Sequence, residues 1–149
     1  MESQKNRVVI YTDGACKGNP GIGGWGSVLK YNLITKEIYG GEKNTTNNRM
    51  EMMAAIRALS ILKFACKVTL YTDSNYLLKG INQWLDYWIN NNWKSFSNKS
   101  VKNEDLWKVL NELRKKHSIS WKWIKGHSGN IFNERADFLA NIGAESISL

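Results

Sequence analysis

Proline is nearly missing from this 149-residue chain, since Pro20 is the only one. That excludes proline-rich linkers and polyproline recognition segments. Cysteine is scarce as well: Cys16 and Cys66 stand alone with no C-x-x-C pair, which removes a disulfide framework and a cysteine-ligated zinc site. No apolar run approaches the ~18 residues that a membrane-spanning helix needs. The stretch MESQKNRVVI lacks the apolar centre of a secretory signal, so a reducing cytoplasm is the expected setting. Acids are few, 13 against 21 Lys and Arg, which leaves a net charge of +8. That excess suits a polyanionic partner, and nucleic acid is favoured over an anionic membrane surface. There is no linker, low-complexity tract or repeat. One domain over residues 1–149, working as a monomer, is the expectation.

What is present alternates between short β-branched runs and helical stretches. VVIYTD (8–13) and VTLYTD (68–73) both read as strands that end at an aspartate, with CKGNPGIGGWG after the first as a turn. WGSVLKYN and KEIYGGEKN read as two further strands, and ISWKWIK as the last. Helices are expected over NNRMEMMAAIRALSILK, residues 74–94, EDLWKVLNELRKK and NERADFLANIGAES. Helices between strands imply parallel neighbours, because a parallel pair needs a crossover. The first three strands read as an antiparallel meander, so the expected fold is α/β with a mixed sheet. GIGGWG fits the dinucleotide fingerprint in letters only, since a strand and not a helix follows it.

The two terminal aspartates raise a chemical possibility. If their strands are parallel neighbours, Asp13 and Asp73 share one edge of the sheet, where α/β proteins bind ligands. Each alone reads as ordinary turn chemistry. The helices add two more acids. Glu51 lies on the face of Ala54, Ala55, Ala58 and Leu62, and Asp137 on the face of Ala140 and Ala144. A carboxylate on a packing face needs a partner or a metal, although Glu51 also fits a first-turn capping box with Asn48. Four clustered acids repel unless a cation joins them, and an all-oxygen set suits Mg²⁺ or Mn²⁺. His127, in the glycine-flanked loop KGHSGN, adds a candidate proton carrier.

Five blocks, YTDGACKGNPGIGGWG, TTNNRMEMMAA, YTDSNYLLKGI, WKWIKGHSGN and NERADFLA, strongly resemble prokaryotic-type ribonuclease H, type 1, in order and over almost the whole chain. The resemblance implies a ribonuclease H-like fold, with a five-stranded mixed sheet in the order 3-2-1-4-5 flanked by helices. It implies a nuclease that uses two Mg²⁺ ions, with Mn²⁺ possible, to hydrolyse the RNA strand of an RNA–DNA hybrid, leaving 5′-phosphate and 3′-hydroxyl ends. Asp13, Glu51, Asp73 and Asp137 fall on the family's metal-binding carboxylates, and His127 on its mobile-loop histidine. Cys16, Asn19, Asn47, Asn48 and Asn75 fall on residues lining the minor groove around the cut, and Thr46 on a phosphate grip. Trp84, Trp88, Trp93, Lys94, Lys99 and Lys102 fall on a protruding handle for the DNA strand, poorer in lysine here than is common in the family. Two other readings remain: a resolvase- or transposase-like nuclease of the same fold, and a hybrid-binding module without catalysis.

Overall fold

The computed structural model describes residues 6–148. Five strands form one sheet: β1 (Arg7–Gly18), β2 (Gly21–Tyr31), β3 (Ile34–Thr45), β4 (Lys67–Thr72) and β5 (Ser118–Trp123). Their order is β3-β2-β1-β4-β5, as the resemblance implies. β1, β2 and β3 are antiparallel, while β4 and β5 run parallel to β1. Around the sheet lie α1 (Asn47–Ser60), α2 (Asn75–Lys79), α3 (Leu85–Asn90), α4 (Glu104–Lys116) and α5 (Ile131–Ser148). No helix among the described residues is long and apolar enough to cross a membrane.

The period of two in β1 and β4 decides which face packs where. Val8, Ile10, Val68 and Leu70 point to the side of α1 and α4, where they meet Met52, Leu59, Leu77, Leu85, Trp107 and Leu110 in the main core. Val28, on the opposite face, packs with Ala136 and Leu139 of α5. The sheet is thus a layer between α1 and α4 on one side and α5 on the other.

Three expectations are corrected. β1 does not end at Asp13. It continues to Gly18, because β2 pairs with it from Val9↔Lys30 to Gly18↔Gly21. The eleven-residue turn is only Asn19 and Pro20, and the glycines of GIGGWG lie inside β2. Glycine disfavours strands, yet here a neighbour demands it. A Cβ on Gly24 would collide with the carbonyl of Ala140, and one on Gly143 with the carbonyl of Gly40, so α5 presses main chain to main chain onto β2 and β3.

The single helix expected over 74–94 is three pieces. α2 passes into a π-helical turn (Gly80–Trp84) and then α3. Gly80 lies against the fully buried ring of Trp107, and any side chain there would occupy the ring's space. Nor is Glu51 a capping residue. Thr46 is the N-cap, its Oγ1 accepting from the Arg49 N–H at 3.2 Å. Glu51 therefore sits beyond the first turn, with its side chain turned inward.

Candidate active site

The parallel pairing of β1 with β4 stops at Tyr11↔Tyr71, and there the two chains part. Asp13 lies just past the parting on β1, and Asp73 just past the end of β4. The gap between them is the sheet edge at which α/β folds bind ligands. α1 delivers Glu51 into it. The delivery depends on Gly14, where an added Cβ would stand 2.6 Å from the Glu51 nitrogen and 2.9 Å from its Oε1. From the other face, α5 carries Asp137 up to Asp13.

One carboxylate oxygen from each of Asp13, Glu51 and Asp73 lies within 4.8 Å of the others. Asp137, half-buried, approaches Asp13 and stands outside this tight trio. Asp13 is 7% exposed and Glu51 3%. Burial pushes the Asp13 carboxyl up to about 7. The Asp73 charge adds to the rise, while a hydrogen bond from Glu51 and the Gly14 N–H, 2.9 Å from Oδ1, hold it down. Glu51 is raised well above the carboxylate range, first by burial and then by the charge of Asp13. The more buried Glu51 is the better holder of the shared proton.

A cation fits this set. Glu51 Oε1 is buried without a hydrogen-bond partner, which is costly for an oxygen with nothing to bind. The donors are all hard carboxylate oxygens, which match a divalent metal of the Mg²⁺, Mn²⁺ or Ca²⁺ kind.

A pH dependence follows. Between about pH 4 and pH 7 the native site keeps protons that the unfolded chain has released, so stability falls as pH rises. Glu37 and Asp105 are lowered by Arg135 and Arg49 and act only below this window, whereas His117, lowered by burial, binds fewer protons when folded and offsets part of the fall up to its ordinary value of 6.5. In EDTA the midpoint of thermal unfolding should drop by about 5–10 °C from pH 5 to pH 8, from a loss of roughly 2–4 kcal/mol. A millimolar divalent cation should abolish most of the drop. Melting curves at both pH values check it; a midpoint that rises with pH in EDTA refutes the buried-proton account.

The other expected residues are placed as follows. His127 is exposed in the loop between β5 and α5, with a left-handed backbone (φ 55°). That loop touches the carboxylates one residue earlier: a Cβ at Gly126 would stand 2.5 Å from Asp73 Oδ2. Cys16 turns its thiol toward the carbonyls of Thr45 (3.5 Å) and Gly21 (3.7 Å). Asn19 Oδ1 accepts from the Asn47 N–H at 3.2 Å, which ties the β1–β2 turn to the start of α1. Asn48 and Asn75 are exposed at the first turns of α1 and α2. Thr46 Oγ1 accepts the cap hydrogen bond of α1.

Trp84 and Trp88 pack tilted and edge-on in a cluster with Tyr76 and Trp107, centroids 5.5–5.9 Å apart, and so serve first as packing. Trp93 is half-buried, with the Lys108 ammonium 5.3 Å from its centroid. Lys94, Lys99 and Lys102 are exposed. Asp86, the acid in the handle, is bound by Arg114 of α4 at 2.6 Å, which anchors α3 to the body. Sequence reasoning missed Gly14, Gly126 and Arg114, because each acts through a contact distant in the chain.

Comparison with known proteins completes the picture. The family model for RNase H matches residues 5–145. The chain belongs to the RNase H family. A ribonuclease H of Francisella tularensis subsp. novicida (strain U112) is 63% identical over 138 residues, covering 93% of this chain and 91% of that protein. Among solved structures, LC9-RNase H1, a type 1 RNase H with the type 2 active-site motif, superposes with a TM-score of 0.84 at 30% identity, covering 95% of this chain and 74% of the other. LC11-RNase H1, crystallised with an RNA/DNA hybrid, shares the fold with a TM-score of 0.75 at 23% identity, over 95% of this chain and 99% of the other. Carboxylates from both faces of an RNase H sheet therefore meet at its edge, and they offer a seat for a divalent cation.

Proposed function

We propose that this RNase H is a hydrolase that cuts the RNA strand of RNA–DNA hybrids endonucleolytically, as a monomer in a reducing cytoplasm. The observation that carries the reading is the trio of carboxylate oxygens within 4.8 Å, with Asp137 at its flank, in a chain so similar to a named ribonuclease H. Two Mg²⁺ ions, with Mn²⁺ as a substitute, fit Asp13, Glu51, Asp73 and Asp137; when bound they would polarise the scissile phosphate and acidify the attacking water.

The chain's own residues supply the rest. Asp13, which lies within reach of Glu51, Asp73 and Asp137, would hold the metal together with them. The unpartnered Glu51 Oε1 is free to accept from water and orient it for in-line attack. Exposed His127, one residue after the Gly126 that abuts Asp73, is the candidate to carry protons to and from solvent. RNA is told from DNA by its 2′-hydroxyl, and the polar groups nearest the edge, Asn19, Asn47, Asn48 and Asn75 with the Cys16 backbone, are the candidates to read it. Thr46, Trp84, Trp88, Trp93, Lys94, Lys99 and Lys102 grip the DNA strand. The products carry 5′-phosphate and 3′-hydroxyl ends.

The test is a strand-specific assay on labelled RNA–DNA hybrid, duplex DNA and four-way junction DNA, with and without Mg²⁺. Mg²⁺-dependent cutting of the RNA strand alone is the expected result. Junction cutting would point to a resolvase, and hybrid binding without cutting would leave a binding module.

A further inference from the structure

Among the described residues, no helix covers half of the sheet's second face. α5 covers β2, β3 and part of β1, and makes no comparable packing against β4 or β5. What lies on that half follows from register. Arg7 stands directly beside Lys67, and Tyr71 lies between Tyr11 and Lys122. Lys30 reaches the same face from β2, with its ammonium 3.8 Å from the Phe132 centroid. Arg7, Lys30 and Tyr11 line a groove of about 590 Å³ there. No outward position of β1 below Asp13, of β4 or of β5 is acidic.

Like charges directly opposite in a sheet destabilise it. Among the described residues, Arg7, Lys30, Lys67 and Lys122 form no ion pair with any acid. Glu37, which register sets on this side of the sheet, is taken by Arg135 at 2.6 Å. The handle, with Lys94, Lys99 and Lys102 against Asp86, holds only part of the chain's cationic excess, and this face carries a further share of it.

We propose that this sheet face binds a single strand of nucleic acid, holding the unpaired continuation of a strand that has passed the carboxylates. The proposal rests on the hybrid-cleavage reading only for the source of that strand. Charge complementarity demands a polyanion, and two further features choose nucleic acid over an acidic protein or a lipid surface. Tyr11 lies two residues below Asp13 on the same side of β1, so the face opens onto the catalytic edge. Half-buried Tyr71, stacked on Tyr11 at 4.9 Å, offers a ring for base stacking beside the cations, the combination that single-strand-binding surfaces use. Thr69, between these rows, adds a hydroxyl able to donate to a phosphate.

The test is fluorescence anisotropy with labelled oligo-dT and oligo-U. The triple variant Arg7→Gln/Lys67→Gln/Lys122→Gln should bind about tenfold more weakly, and its log–log salt slope should flatten by about 2. A net-charge control, Lys36→Gln/Lys63→Gln/Lys116→Gln, should retain most of the affinity. The first variant should melt at or above the wild-type temperature, because like-charge repulsion is relieved, and should cut blunt-ended hybrid at the wild-type rate. Unchanged single-strand affinity overturns the proposal, as does an equal loss in the control. Tighter binding to phosphatidylglycerol vesicles than to oligo-dT, abolished in the first variant, would replace nucleic acid with lipid. If the wild-type protein leaves hybrid uncut yet passes these binding tests, the cleavage reading fails and this one stands.

Discussion

Asp13→Asn should lower the rate of hybrid cleavage at least ~10³-fold and, in EDTA at pH 8, raise the melting temperature by about 5 °C. The two effects share one cause. Asp13 lies within reach of Glu51, Asp73 and Asp137, and its own carboxyl is driven up to about 7 by burial and by the Asp73 charge. At pH 8 without metal, the native state must hold this charge in a site that resists it. Asparagine has the same shape, and its Oδ1 can still accept from the Gly14 N–H, the one hydrogen bond of Asp13 to the backbone. It removes the charge and with it the ligand. In millimolar Mg²⁺ the order should narrow or reverse, since the wild type gains a bound cation and the variant does not. Retention of more than a tenth of the activity would remove Asp13 from the metal site. A lower melting temperature in EDTA would show that the carboxylate is held by interactions that an amide cannot make.

Gly143→Ala should lower the melting temperature by about 10 °C, equivalent to roughly 3 kcal/mol of overpacking. The new methyl would drive into the carbonyl oxygen of Gly40, and main chain cannot swing aside as a side chain can. The helix must lift. Asp137 rides on that helix, so the folded enzyme should also lose activity, by about 10²-fold for a shift near 1 Å. Glu145→Ala, exposed on the same helix, is the control and should do neither. Differential scanning calorimetry and initial rates well below the transition would measure both. A melting shift below about 2 °C would mean that the contact can slide, and the account of α5's placement would fall.

The strands and the four acids were legible because each has a local signature. A β-branched run shows its period within a few residues, and an acid on an alanine-rich helical face contradicts its surroundings visibly. What stayed hidden was set by partners far along the chain. Asp13 reads as the end of a strand because Gly14 and the glycines after Pro20 look like turn residues. They belong to strands because α1 and α5 cross there without room for side chains. The capping reading of Glu51 failed because Thr46 had already taken that role. Asp86 looked like a defect in a cationic handle, and its reason is Arg114, 28 residues away. The basic sheet face needed register: Arg7 and Lys67 are unremarkable letters until the strands align them.

Glu51 descends from one helical layer and Asp137 from the opposite one, with Asp13 and Asp73 on the strands between. No smaller piece of the polypeptide holds the set, because peeling away either layer removes a ligand. An ion seated there is therefore a rivet through the full thickness of the molecule, and its affinity adds to the free energy of global unfolding. Hydrogen exchange should register its arrival in the slowest amides of the core as well as at the rim of the cleft.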